Sequence, residues 1–343
     1  MQLIKKQSSP AMHSNRDTGR MMMQTSLLLV GLAAYSVIYS YYAISQKAGE
    51  YALYIYLVSV ITSIVIDLLA CLINKKSPLD KFFLSQILIT PLIYSLTLTL
   101  DTSLVIAALG SALATIVKIA FGGFARQKVN SAMVGRVLVW ILTTGSILPE
   151  FMTKTGFEDV MKSAFTIDTY YSGAYRLTDV FLGTIPGPLG TTCIPILIVV
   201  GSLLLLFRII DLRITLSAVI SMIIMSAIFG AYQVSDPVVF SLMNVFVGGY
   251  LYASLMVITD PVTSPTSPLG KILYGIFFAF AVMFIREQGY LTEGMVLAVL
   301  FVNILTPIID RFILYRTDRK KALQVFIILL TVGLLSAALI YMV

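Results

Sequence analysis

Three groups of residues in this chain have the types and spacing to do chemistry. The first is one carboxylate, Asp67, set in an apolar run between Val65-Ile66 and Leu68-Leu69. A carboxylate there is costly unless it pairs, binds a cation or relays a proton, so Asp67 is a candidate for ion translocation. Its plainer reading is an ion pair with a nearby lysine, since Ile73 and the end of the run follow soon after. The second group is Gly122-Gly123-Phe124-Ala125-Arg126-Gln127-Lys128-Val129-Asn130-Ser131, which combines paired glycines, two cations and an amide. Backbone N–H groups and cations in such a loop can take a phosphate or the edge of an isoalloxazine ring. Equally, a basic loop of this kind can do no more than orient the chain in a membrane. The third group is Gly248-Gly249-Tyr250 leading to Thr259-Asp260-Pro261-Val262-Thr263-Ser264-Pro265-Thr266-Ser267-Pro268. Irregular backbone near a bilayer survives only where protein buries it or where it lines a cavity, so this loop shapes a site. Asp260 is expected to accept from backbone N–H groups and to cap an intervening turn or the helix beginning after Lys271. The Thr and Ser residues around it can satisfy broken-helix backbone, and that structural role alone accounts for the composition.

Other chemistry is argued against by what the sequence lacks. The single histidine, His13, lies in a polar N-terminal tail, so neither a zinc-type cluster nor a Ser/His/Asp set is available. No GxxxxGK[ST] phosphate loop occurs, which argues against ATP-driven chemistry. Cys71 and Cys193 cannot supply a four-thiolate iron–sulfur site within the chain. They read as small buried apolar residues, with a half-site shared with another subunit as the alternative.

The elements that must position these groups are membrane spans. The chain has 343 residues, of which 58% are hydrophobic and 12% charged, and its mean hydropathy is +0.92. That composition is expected of an integral membrane protein in contact with lipid. Apolar runs fall at 22–45, 51–73, 82–100, 103–119, 133–149, 191–207, 214–229, 242–258, 272–285, 294–314 and 322–343. No cleavable signal peptide is expected, because the first run follows Lys5, Lys6, Arg16 and Arg20 and lacks a small-residue cleavage site. The tyrosines from Tyr35 to Tyr42 read as interfacial aromatics, or as residues flanking a cofactor. With the N-terminus in the cytoplasm, only Lys47, Lys154, Lys162, Arg176 and Arg286 of the 24 Lys and Arg fall outside. The formal charge of +7 is thus spread over span ends, and no basic face for a nucleic acid results.

A polar stretch at 150–190 lies outside in this topology and separates two groups of five runs, 22–149 and 191–314. Residues 1–21 form a cytoplasmic tail and 315–343 carry the additional C-terminal run. Asn130 to Leu138 lines up with Thr292 to Leu300, sharing Met133/Met295, Val134/Val296, Val137/Val299 and Leu138/Leu300. The two segments enter the membrane from opposite sides, as an inverted repeat requires. The expected fold is therefore an all-α polytopic membrane protein of about 10–11 transmembrane helices, with two inverted five-helix repeats plus a C-terminal helix.

Four blocks of this sequence resemble the membrane subunits RnfD and NqrB of ion-translocating electron-transfer complexes. They are Ser9-Pro10 through Arg20-Met21, Gly122-Gly123 through Arg136, Phe181 through Gly190, and Gly248-Gly249 through Pro265. The last continues to Leu291-Thr292-Glu293-Gly294 and Asn303 through Asp310-Arg311. The blocks stand in the family order and cover nearly all of the chain to about residue 314. Asn130-Ser131 stands where the family usually has Asn-Pro, and the run 322–343 looks like an addition to the usual ten.

The resemblance implies flavin redox chemistry in a bacterial cytoplasmic membrane, coupled to outward movement of Na+ or H+. It also implies partner subunits that supply a nicotinamide site and iron–sulfur ligands, so this chain alone is not expected to oxidise a soluble donor. Candidate flavin contacts are Gly122, Gly123, Asn130, Asp260 and Thr263 on the inside, and Ser172, Gly173, Ala174 and Tyr175 outside. Family members carry FMN on a threonine in a motif like Asp-x-x-Ser-Gly-Ala-Thr. Here the matching stretch reads Thr169-Tyr170-Tyr171-Ser172-Gly173-Ala174-Tyr175, with Tyr175 at the acceptor position and Asp168 displaced by one. The expectation is a noncovalent flavin, riboflavin or FMN, with Ser172 and Thr178 as other nearby hydroxyls. The alternative is a nonredox membrane transporter or scaffold on the same fold.

Overall fold

The computed structural model describes residues 18–73, 86–123, 126–144, 176–185, 187–231, 236–289 and 294–314. The run 322–343 and the stretch Ser172 to Tyr175 lie outside the described residues. Every regular element described is helical, as expected of an all-α membrane protein. Helix α1 (Thr18–Tyr39) passes through a π turn, Ser40–Ile44, into α2 (Gln46–Ile73). Then come a short α3 (Ile89–Leu96), α4 (Leu104–Ala120) and α5 (Ser131–Thr144). After the short α6 (Leu177–Leu182) follow α7 (Ile194–Leu206), α8 (Leu212–Gly230) and α9 (Pro237–Phe246). A single turn, α10 (Tyr250–Tyr252), continues as a π turn to Val257, and α11 (Pro268–Gly289) and α12 (Met295–Leu314) complete the fold.

Among the described residues, four stretches are long and apolar enough to cross a membrane: Gly19–Ile44, Gln46–Ile73, Leu212–Gly230 and Pro268–Arg286. A fifth is the bent pair Pro237–Phe246 and Tyr250–Val257, whose halves meet at 62°. The helices are built for lipid. On α2 the polar Ser59, Ser63 and Asp67 face inward, while Leu57, Ile61 and Val65 face out. On α8 Ala218, Met222 and Ser226 are inside and Ile220, Ile224 and Ile228 outside. Where the surrounding medium is apolar, polar side chains must find their partners within the bundle. Ser63 and Thr115 share a 2.7 Å hydrogen bond between α2 and α4, and the Ser111 hydroxyl donates to Ser59 O at 2.6 Å. Small hydroxyl residues at such an interface let two helices approach closely.

Two sets of three helices pack among themselves. Helix α2 packs on α4 and α4 on α5; α8 packs on α11 and α11 on α12. Helix α5 touches α12, and α1 touches α7. Two apolar runs differ from the continuous spans expected of them. In the described part of the run 82–100 the short α3 ends at Leu96, after which Leu96 O and Leu98 O accept from Gly190 N–H and Leu189 N–H of the linking loop. The run 242–258 is broken because Gly248 and Gly249 both take left-handed backbone, φ 64° and 68°, which a side chain disfavours. Arg286 clamps the break: its guanidinium donates to Asn244 O, Asn244 Oδ1 and Val247 O and lies 5.9 Å from the Tyr250 ring centre.

Candidate functional site

Two loops converge at one end of the bundle. Helix α4 ends as Gly122 N–H and Gly123 N–H donate to Ile119 O and Lys118 O, with positive φ at both glycines. Those two amides are thereby committed to helix carbonyls, and the glycines turn the chain toward Gln127. Asn130 then starts α5, its Oδ1 accepting from Ala132 N–H and Met133 N–H. Arg126 and Lys128 are exposed, whereas Gln127, Asn130 and Ser131 are buried.

The second loop links the broken span to α11. Asp260 Oδ1 accepts from Val262 N–H and Asp260 O from Ser264 N–H, so Asp260 closes the intervening turn. The cap of α11 is instead Ser267, which accepts from Gly270 N–H, and the helix starts at Pro268. Gln127 Nε2 donates to Asp260 Oδ2 at 3.3 Å, and Ser131 donates to Gln127 Oε1. This side-chain bond joins positions 133 residues apart and brings the two candidate loops together. Burial in the loop pushes the Asp260 carboxyl up to about 6, against the opposing pull of the Val262 and Gln127 bonds.

Helices α11 and α12 close the site from behind. The Tyr274 hydroxyl donates to Asn303 Oδ1 at 2.6 Å and also interacts with Thr306 and with the charge of Asp260. Thr306 donates to Thr263 O, and Asp310 accepts from Thr266. Within this polar cluster two buried atoms, Thr263 Oγ1 and Asn303 Nδ2, have no hydrogen-bond partner among the described residues.

Asp67 lies at the same end but in a separate cluster. Lys118 Nζ approaches Asp67 Oδ2 at 2.6 Å, with both side chains buried. Lys118 sits one turn before Gly123, whose N–H it accepts through its carbonyl. A more exposed pair, Lys271 with Asp211 at 2.8 Å, joins the first turns of α11 and α8.

Gly122, Gly123, Asn130, Asp260 and Thr263 thus lie on two touching loops, while Ser172, Gly173, Ala174 and Tyr175 fall outside the described residues. Sequence reasoning does not single out Tyr274, Asn303, Thr306 or Lys118 as site residues. A signal exists for two of them: Asn303 and Thr306 are spaced by three in an apolar helix and so share a face. Lys118 reads in the sequence only as an orienting charge at a span end. Cys193 contacts the Tyr35 hydroxyl at 3.1 Å and Tyr39 donates to Gly183 O, so these tyrosines dock the linking loop.

A multi-pass α-helical membrane protein with a buried polar site at one end of its bundle is what the fold and this geometry define. The chain belongs to the NQR2, RnfD, RnfE family, whose family model matches residues 5–318. One relative is the subunit designated B of the Na(+)-translocating NADH-quinone reductase of Pseudomonas paraeruginosa. The two are 28% identical over 286 residues, covering 80% of this chain and 70% of the relative. The corresponding subunit of Azotobacter vinelandii is 26% identical over the same coverage. That of Chromohalobacter salexigens is 27% identical over 68% of this chain and 59% of the relative.

Proposed function

We propose that this chain is a membrane subunit of an ion-translocating redox complex and holds a flavin noncovalently between its 122–130 and 260–263 loops. The supporting observation is the Gln127–Asp260 bond, which joins the two loops that the family resemblance selects. The donor set suits the group. The polar edge of an isoalloxazine alternates carbonyl, N–H and carbonyl, and so asks for one acceptor flanked by donors. Asp260 is the acceptor, Gln127 carries the neighbouring amide, and the Thr263 hydroxyl is buried with no partner among the described residues. A bound flavin supplies acceptance of an electron pair and its release in single-electron steps. The chain's own part is to hold that edge and keep water from it.

At the outer position Tyr175 replaces the usual acceptor threonine, and its bulk and reach argue for no covalent FMN there. Asp67 enters this reading as the ion-coupling carboxylate. Lys118 balances its charge, so a cation or proton can take that place only when the ammonium leaves. The names of the relatives favour Na+ as the ion and a quinone as the acceptor, with other subunits supplying the donor site. The concentration of cations at span ends favours a cytoplasmic location for the N-terminus and for the loop site.

The reading is tested by reconstituting the purified complex in liposomes and supplying NADH and quinone. Flavin reduction with ion uptake that stops when either substrate is withheld is the expected result. Solute movement without a redox pair, by a complex that contains no flavin, would replace this reading with the nonredox transporter.

A further inference from the structure

We propose that Asn303 and Thr263 form a second wall of the flavin site and fix the cofactor's polar edge, an inference that rests on the flavin reading above. Three observations carry it. The Asn303 side chain is 2% exposed and Thr263 1%, yet Asn303 Nδ2 and Thr263 Oγ1 have no partner among the described residues. A polar atom left unsatisfied in a buried place calls for a ligand, an ion or a water. The two side chains belong to one cluster, because Thr306, on the same face of α12 as Asn303, donates to Thr263 O. Finally, Tyr274 pins Asn303 through Oδ1 at 2.6 Å, which commits one amide atom to the protein and leaves the other for a ligand.

The wall complements what the loops offer. Gln127 Nε2 and Asp260 Oδ2 bond to each other, which leaves the second Nε2 hydrogen and the remaining carboxylate lone pairs for a ring edge, and an edge with two carbonyls needs a second donor. Asn303 Nδ2 supplies it from the α12 side. Thr263, as a hydroxyl, can donate or accept and so tolerates both oxidised and reduced ring states. Tyr274 is a positioning residue that sets the orientation of the Asn303 amide.

The test uses Thr263→Val and Asn303→Leu in the full chain within its complex. Noncovalent flavin is stripped, riboflavin and FMN are titrated back separately, and binding is followed by fluorescence quenching. Thermal unfolding of the stripped protein is recorded alongside. The expected result is at least tenfold weaker binding in each variant, with the stripped Thr263→Val protein as stable as before or more so, since an unsatisfied buried group has been removed. Asn303→Leu also removes the acceptor of Tyr274, so its stability is compared with that of Asn303→Leu combined with Tyr274→Phe. Tyr274→Phe is expected to weaken binding less, because it frees the amide without deleting it. Unchanged affinity in both variants would overturn the inference and leave the flavin reading standing. A loss of affinity matched by a loss of stability in the stripped Thr263→Val protein would make the wall structural and also overturn it. Wild-type protein that takes up neither riboflavin nor FMN would overturn this inference and the flavin reading together.

Discussion

At neutral pH the Asp260 carboxylate carries its charge in a place that favours the neutral form. Its folded value of about 6 lies above the ordinary carboxylate value of about 3.9. The folded state therefore binds the proton more tightly, and stability from this group falls as pH rises between those two values. Above about 6 the full cost is present, on the order of 1–3 kcal/mol. Asp260→Asn removes the charge but keeps an acceptor for Val262 N–H. The stripped variant is expected to unfold at a higher temperature than wild type at pH 7, with the gap closing toward pH 4; a gap independent of pH would contradict the burial argument. The same substitution is expected to weaken flavin binding, which marks the carboxylate as retained for function and not for stability. For Asp67 the expectation runs differently. Removing one member of a buried pair leaves an uncompensated charge and costs about 3–5 kcal/mol, whereas removing both is far milder. Lys118→Met alone should impair assembly as read by size-exclusion chromatography, and Asp67→Leu with Lys118→Met should restore it. If the restored double variant still pumps ions at the wild-type rate, Asp67 is structural only.

The helix breaks decide where the site can form. Gly248-Gly249 marks the break in the sequence, and the Asn303/Thr306 spacing marks a polar face on α12, so both are legible without coordinates. Arg286 is not legible in this way. It reads as one of the few outward charges, because nothing local in the sequence says that it reaches back to the carbonyls of Asn244 and Val247. An ion pair between Asp67 and a lysine is legible in the sequence, but not that the lysine is Lys118, 51 residues away. Arg286→Met leaves the end of α9 without its charged donors and is expected to cost about 2–4 kcal/mol. Hydrogen exchange should then rise selectively over 244–257. Uniform exchange across the bundle would show that Arg286 supports the fold as a whole and not the break.

For the whole molecule, composition, charge asymmetry and the order of apolar runs are enough to read an all-α membrane protein, and the four motif blocks are enough to read its family. The convergence of the 122–130 and 260–263 loops is suggested by resemblance, and its physical basis is a single side-chain bond between distant positions. The α12 wall cannot be read from either loop, because tertiary packing alone brings Thr306, one turn from Asn303, onto Thr263. The central claim is that the complex carries a noncovalent flavin at these loops. The measurement that tests it most directly is the flavin content of the purified wild-type and Asp260→Asn complexes, coexpressed with an enzyme that attaches FMN to threonine, before and after denaturation. The account predicts flavin in the native wild type that leaves the polypeptide on denaturation, and a clear loss of it in the variant. Fluorescence that stays on the denatured chain, or a native complex with no flavin, would contradict it.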